Sequence, residues 1–177
     1  MGVLSSQQIR AMLSDSPPLV AGFVNVDEQL QANGFDMTLE SIAAFTGAGR
    51  IGVSNSDRVL AETEDLAFDA ESSVHLQPGV YAVRLNETVA LPRNVMALAK
   101  PRSTLLRNGA AAHNAVWDAG YTGRAQIQLT VYNPHGLTLA RNARIVQMVF
   151  FTLDDATETP YDGIYQGEAT TPAAARQ

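Results

Sequence analysis

The chain has 177 residues, 46% apolar and 17% charged, which suits one globular domain around a single core and excludes disorder throughout. Twelve basic against eighteen acidic side chains leave a net charge of −6, which argues against a broad basic face for nucleic acid, so any bound anion must be held locally. With no cysteine, disulfides, thiolate nucleophiles, iron–sulfur clusters and Cys-ligated zinc are excluded, and the basic residues are eleven arginines and Lys100. No apolar run approaches the roughly 20 residues that span a bilayer, and the N-terminus lacks a secretory pattern; the expectation is no membrane and the cytoplasm. Gly2 with Ser6 fits a loose myristoylation pattern, but the same residues read as the start of a helix.

In chain order, Ser5 caps that helix and Gln8 reaches back to close a capping box, with Ile9, Met12 and Leu13 on one face. Ser14-Asp15-Ser16-Pro17-Pro18 ends it, because proline removes donors and fixes extended backbone. From residue 34 the helical period gives way to short apolar or alternating runs: 35–42, 58–62, 79–85, 94–99, 125–132 and 143–153. Turn chemistry separates them, as in Gln77-Pro78-Gly79, Leu91-Pro92-Arg93-Asn94 and Asn133-Pro134-His135-Gly136. The spacing predicts a mainly β fold, a distorted, jelly-roll-like barrel or sandwich with one short N-terminal helix. Aliphatic residues thin out from Asp154, so residues 1–153 read as the β domain and 154–177 as a tail. The tail reads as a solvated end, or as a segment that folds over a ligand, since Tyr161 and Tyr165 stand among Gly163 and Gly167.

Lys100-Pro101-Arg102-Ser103-Thr104-Leu105-Leu106-Arg107 places two guanidinium groups and two hydroxyls directly after an apolar strand. Arginine offers planar paired donors that match phosphate oxygens, and hydroxyls fill the remaining acceptors; the alternative is a solvated rim. In His113-Asn114-Ala115-Val116-Trp117-Asp118-Ala119-Gly120-Tyr121-Thr122-Gly123-Arg124, Asp118 precedes a Gly-Tyr-x-Gly turn between two antiparallel strands. Backbone donors and acceptors of such a turn can read the edge of a planar heterocycle, and a carboxylate beside it can hold or deprotonate a water. Asp118 can equally do no more than stabilise the turn. Asp36 lies inside an apolar strand and needs a partner or a function there; Gln147 lies in another apolar strand, as a core residue satisfied by backbone. His75 and His135 stand in turn-like contexts without a second histidine at ligand spacing, and no metal is assigned to them.

Taken together and in this order, Gly34-Phe35-Asp36, Pro101-Arg102-Ser103-Thr104-Leu105, Trp117 to Gly123, Arg144-Ile145-Val146-Gln147 and Tyr165-Gln166-Gly167 resemble the five motifs of the trimeric deoxyuridine triphosphatases and related dCTP deaminases. The resemblance runs from about residue 1 to 170. The N-terminal helix, Arg107 five residues after Arg102, and the Tyr-Gln-Gly tail are similar to the deaminase-like branch, which includes archaeal-type triphosphatases. It implies hydrolysis of dUTP to dUMP and pyrophosphate by one water attacking the α-phosphorus. It further implies Asp118 as the base that orients and deprotonates that water, and Tyr121 under the deoxyribose. Arg102, Ser103 and Arg107 would hold phosphates with Thr104 beside them, and Gln147 would support the pocket. Tyr165 with Gln166 would close the tail, and Asp36 would anchor water in the shell of a Mg²⁺. The family builds its sites between subunits, so a homotrimer follows.

In the deaminases of this family a glutamate on the strand after the third motif shuttles protons at the pyrimidine C4. The corresponding position is Gln128 or Thr130, and no Asp or Glu occurs between Asp118 and Asp154. Deamination of dCTP is the disfavoured alternative; a nucleotide-binding regulatory trimer that lost its chemistry is another. Three departures stand out: Thr104 replaces the family's serine or glycine, Asn114 precedes Asp118 where relatives carry other small or polar residues, and the tail lacks an arginine- and glycine-rich phosphate clamp. Asn114 can both donate and accept, and so can discriminate uracil from cytosine.

Overall fold

A computed structural model gives the fold and describes residues 2–169. Its elements in chain order are β1 (Gly2–Val3), α1 (Ser6–Met12), β2 (Val20–Ala21), α2 (Val26–Gln29), β3 (Leu30–Gln31), β4 (Gly34–Phe45), β5 (Thr63–Asp65), β6 (Ser73–Leu76), β7 (Gly79–Ala90), β8 (Val95–Pro101), α3 (Ser103–Arg107), β9 (Ala110–His113), β10 (Thr122–Val131), β11 (Leu137–Ala140) and β12 (Arg144–Thr152). Ten strands form one curled antiparallel sheet with the path β1-β12-β4-β7-β10-β9; β8 hangs on β12, and β11 pairs with β6 apart from it. Sequence patterning therefore identified the class correctly: mainly β, in a distorted barrel.

Local chemistry explains the elements that position the site. The Ser5 hydroxyl accepts the Gln8 main-chain N–H at 3.4 Å while the Gln8 carboxamide oxygen accepts that of Ser5 at 2.9 Å, the capping box expected of α1. Strand β4 changes partners midway, pairing through Phe35–Thr38 with β12 and through Leu39–Ala44 with β7. Register shifts at Arg144/Val146, Leu39/Ser41 and Arg124/Gln126 bend the sheet at these places. Inside the curl, Phe35, Met37, Leu39, Leu85, Leu129, Met148 and Phe150 are wholly buried, and Ile9 of α1 joins them.

Several expectations need correction. The run 58–62 is no strand; only Val59 bridges to Arg50, Leu60 is 63% exposed, and the strand proper is β5. A one-turn 3₁₀ helix over Asn55–Asp57, boxed by Ser54 and Asp57, precedes that segment. Strand β7 continues past Leu85 to Ala90 because its polar residues Asn86 and Glu87 both bond to buried Thr38. The segment after β8 does not remain an open strand end: Ser103–Arg107 close into α3, with Leu105 turned into the core. Of the tail, residues 154–169 run back along the sheet, Thr157 exchanging main-chain and side-chain bonds with Arg93; positions 170–177 lie outside the described residues.

Candidate active site

The motif around Asp118 starts from a fixed point. Trp117, 6% exposed, donates its main-chain N–H to Ala97 of β8 at 3.0 Å and accepts from it at 2.9 Å. Asp118 follows with an exposed side chain, and its carbonyl accepts the Tyr121 N–H at 3.1 Å to close the turn. Two glycines are required here. Gly120 has φ +89°, and a Cβ on it would lie 2.5 Å from Pro160; a Cβ on Gly123 would lie 2.4 Å from the Tyr121 hydroxyl, so Gly123 makes room for that ring. Tyr121 is thereby folded flat and buried, edge-on to Tyr161 at 5.4 Å between centroids. Burial pushes its phenol up to about 12, helped by the nearby Glu168 and Tyr161, so the ring is a neutral apolar platform at any working pH.

The C-terminal segment completes this end by binding the turn's backbone. Tyr161 donates its N–H to the Ala119 carbonyl at 2.9 Å. The Gln166 carboxamide accepts the Thr122 N–H at 2.9 Å and donates to the Gly120 carbonyl at 3.0 Å. Gly167 donates to Thr122 at 2.7 Å, and Arg124 donates to the Glu168 carbonyl at 2.8 Å. Between turn, segment and the end of β4 lies a cavity of about 640 Å³, walled by Phe45, Trp117, Asp118, Tyr121, Gln126, Tyr165 and Glu168 among others. Among the described residues no lysine or arginine lines it, although Arg58 lies over the Tyr165 ring at 5.9 Å. Its size suits a base and sugar; its lining cannot neutralise a triphosphate.

Positive charge gathers at the other end of β8. Arg102 Nε stands 3.0 Å from Asp36 Oδ2 as an ion pair without a hydrogen bond, and Arg144 Nη1 stands 3.7 Å from the same oxygen. The Asp36 side chain is 2% exposed; burial pushes its carboxyl up, against the pull of the two guanidinium groups. Gln147 of β12 sits in register with Asp36 on one side and Lys100 on the other. Ser103, Thr104 and Arg107 stand exposed on α3. Pro101 is four residues beyond Ala97, roughly 13 Å along the strand from the Trp117 anchor. One chain thus carries a cavity around Asp118 and, separately, a cationic segment at the start of α3.

A family model described as dCTP deaminase-like matches residues 3–153. The chain belongs to that family. A probable deoxyuridine 5'-triphosphate nucleotidohydrolase of Methanosarcina mazei is 44% identical over 170 residues, covering 96% of this chain and 99% of its own. One from Archaeoglobus fulgidus is 45% identical over 168 residues, covering 95% and 98%. Among solved structures, 2'-deoxycytidine 5'-triphosphate deaminase from Agrobacterium tumefaciens superposes with a TM-score of 0.65 at 26% identity, over 84% of this chain but only 48% of that one.

Within the dCTP deaminase-like fold, the expected residues fall into two groups. Asp118, Tyr121 and Tyr165 share the cavity, with Gln166 pinning its rim, and Asn114 immediately precedes the lining run 115–118. Arg102, Ser103, Thr104, Arg107, Gln147 and Asp36 form the second group. Gln128 and Thr130 lie on β10 outside the cavity lining, bonded to each other at 3.3 Å, and bring no acid to it. Asp36, expected to anchor water around a metal ion, faces Arg102 and Arg144 with its buried carboxylate. Two residues escaped sequence reasoning. Glu168 lines the cavity with its carboxyl pushed up by burial, with Arg84 pulling it down; only its place after Gln166-Gly167 pointed to it. Arg124, which could pass for a phosphate ligand, is committed to Glu40 at 2.6 Å.

Proposed function

We propose that this protein hydrolyses dUTP to dUMP and pyrophosphate, in homotrimers whose sites combine the cavity of one copy with α3 of the next. The observation that carries the reading is Asp118: an exposed carboxylate held on a rigid turn at the mouth of a base-sized cavity, with a neutral tyrosine platform beside it. Full-length relatives that bear the dUTP nucleotidohydrolase name support the substrate. Arg102, Ser103 and Arg107 lie apart from the cavity of their own chain, which supports a shared site.

In this mechanism the base and sugar enter the cavity, where Tyr121 packs under the deoxyribose and Asn114 with the turn backbone reads the base edge. Asp118 orients one water toward the α-phosphorus and takes its proton as the bond to the leaving pyrophosphate breaks. Arg102, Ser103 and Arg107 of the adjoining copy, with Thr104, Lys100 and Arg144 beside them, hold the phosphates and neutralise developing charge. Gln147 braces this cluster between Lys100 and Asp36. Asp36 faces Arg102 and would anchor water in the shell of a Mg²⁺ accompanying the triphosphate, whose chemistry would be charge neutralisation. Tyr165 and Gln166 close residues 154–169 of the C-terminal segment over the β domain. The absence of an acid at positions 128 and 130 favours hydrolysis over deamination.

The test is product analysis with dUTP and dCTP in parallel. Pyrophosphate from dUTP without ammonia from dCTP is expected, and Asp118→Asn should lower turnover by roughly a hundredfold or more while nucleotide binding persists. Ammonia from dCTP would move the assignment to deamination, and dUTP binding without turnover would make the protein a regulatory binder.

A further inference from the structure

The core of this protein contains a carboxylate. Glu87, near the C-terminal end of β7, is 0% exposed. Its Oε2 accepts the Thr38 main-chain N–H at 2.9 Å, and its Oε1 accepts the Thr38 hydroxyl at 2.5 Å and Gln29 Nε2 at 2.6 Å. Gln29, 1% exposed, also donates to the Asp36 carbonyl at 2.8 Å, while its own oxygen accepts the N–H groups of Val24 and Asn25 at 2.7 and 2.8 Å. These partners are uncharged, so the carboxylate gains hydrogen bonds and no ion pair. An apolar residue of equal size would avoid that desolvation cost, but would leave the Thr38 N–H and one donor of Gln29 unbonded.

The placement is specific. These bonds fall where β4 leaves β12 for β7, so that the Thr38 N–H and the Asp36 C=O are met by side chains in place of a neighbouring strand. Both peptide groups flanking wholly buried Met37 are thereby fixed, and with them the point from which Asp36 presents its carboxylate to Arg102. We propose that Glu87, acting through Thr38, Gln29 and Asp36, is a positioning residue for Arg102 and sets how the guanidinium meets phosphate. The proposal rests on the phosphate-binding role given to Arg102 above, but its geometric part can be read without nucleotide.

The experiment uses the full chain. The Arg102 Nε–H resonance is identified in nitrogen-15 spectra by its loss in Arg102→Lys, and is followed in Glu87→Gln. Binding of a non-hydrolysable dUTP analogue and of deoxyuridine is measured on the same samples. The expected result is a displaced Arg102 resonance and roughly tenfold weaker analogue binding, with deoxyuridine held within about twofold. An unmoved resonance, or parallel weakening of both ligands, overturns the proposal and leaves Glu87 a structural residue. Should Glu87→Gln not fold, Thr38→Val removes one of its bonds and Thr38→Ser restores it: displacement in the first and recovery in the second are expected, and no displacement in Thr38→Val overturns the proposal. If the wild-type protein binds no dUTP, the functional assignment fails, while the Arg102 resonance still decides the positioning.

Discussion

Trp117 and Ala97 exchange both of their main-chain hydrogen bonds, at 3.0 and 2.9 Å, so the residue before Asp118 is tied to a wholly buried residue of β8. The same strand ends at Pro101, directly before Arg102 and α3. Asp118 and Arg102 are therefore both placed by β8, from anchor points roughly 13 Å apart along the strand.

That separation predicts complementation. Asp118→Asn and Arg102→Ala should each be inactive as pure proteins. Mixed trimers refolded from equal amounts should recover roughly a quarter of wild-type pyrophosphate release, since a quarter of sites draw an intact Asp118 from one copy and an intact Arg102 from the next. A site built within one chain gives no recovery from any mixture.

Gly120→Ala should detach the C-terminal segment from the turn. A side chain at φ +89° costs about 1–3 kcal/mol, and its Cβ would meet Pro160 at 2.5 Å. The expected outcome is faster proteolysis and amide exchange across residues 160–168 with the sheet intact; unchanged protection there would contradict the packing described.

Tyr121 should ionise late. Its phenol is pushed from 10.0 to about 12, so the neutral form it favours stabilises the fold below pH 10, and that contribution is lost as pH rises toward 12. Absorbance titration at 295 nm should lose one late step in Tyr121→Phe, and the pH–rate profile below pH 9 should keep its shape.

Glu87→Gln gives a signed pH dependence. Burial raises the Glu87 carboxyl above its ordinary 4.5, so the folded state holds the proton more tightly than the unfolded chain. The contribution of Glu87 to stability is then fully present below pH 4.5 and is lost as pH rises through the raised value. The difference in Tm, variant minus wild type, should become more positive from pH 4 toward pH 8. Asp36 and Glu168, raised in the same direction, are common to both proteins and cancel in that difference.

Much of this was legible in the residues because it is local chemistry. The capping box at Ser5 and Gln8, the strand periods of β10 and β12, and the Gly-Tyr-x-Gly turn depend on near neighbours. What escaped depends on distant ones. Nothing adjacent to Glu87 announces that Gln29 and Thr38 will surround it, and Asn86-Glu87 read as the end of a strand that in fact runs on. Asp36 was correctly marked as a residue needing a partner, but which partner follows only from the register that sets β4 beside β12. The segment 58–62 has strand-like composition and no sheet edge to join. Arg102 to Arg107 coil into α3 because Leu105 finds the core, which no local pattern states.

Strand β4 carries Asp36 near one end, beside the arginine cluster, and Phe45 at the other, in the cavity wall. It works as a ruler shared by two compartments, with its middle clamped against two different neighbours. A single inserted residue between Asp36 and Phe45 would invert every side chain beyond it and misalign one compartment relative to the other. Variation in length should therefore be absorbed by the connection between β4 and β5, where Ile51 and Val53 stand almost fully exposed, while β4 itself varies in side chains and keeps its count.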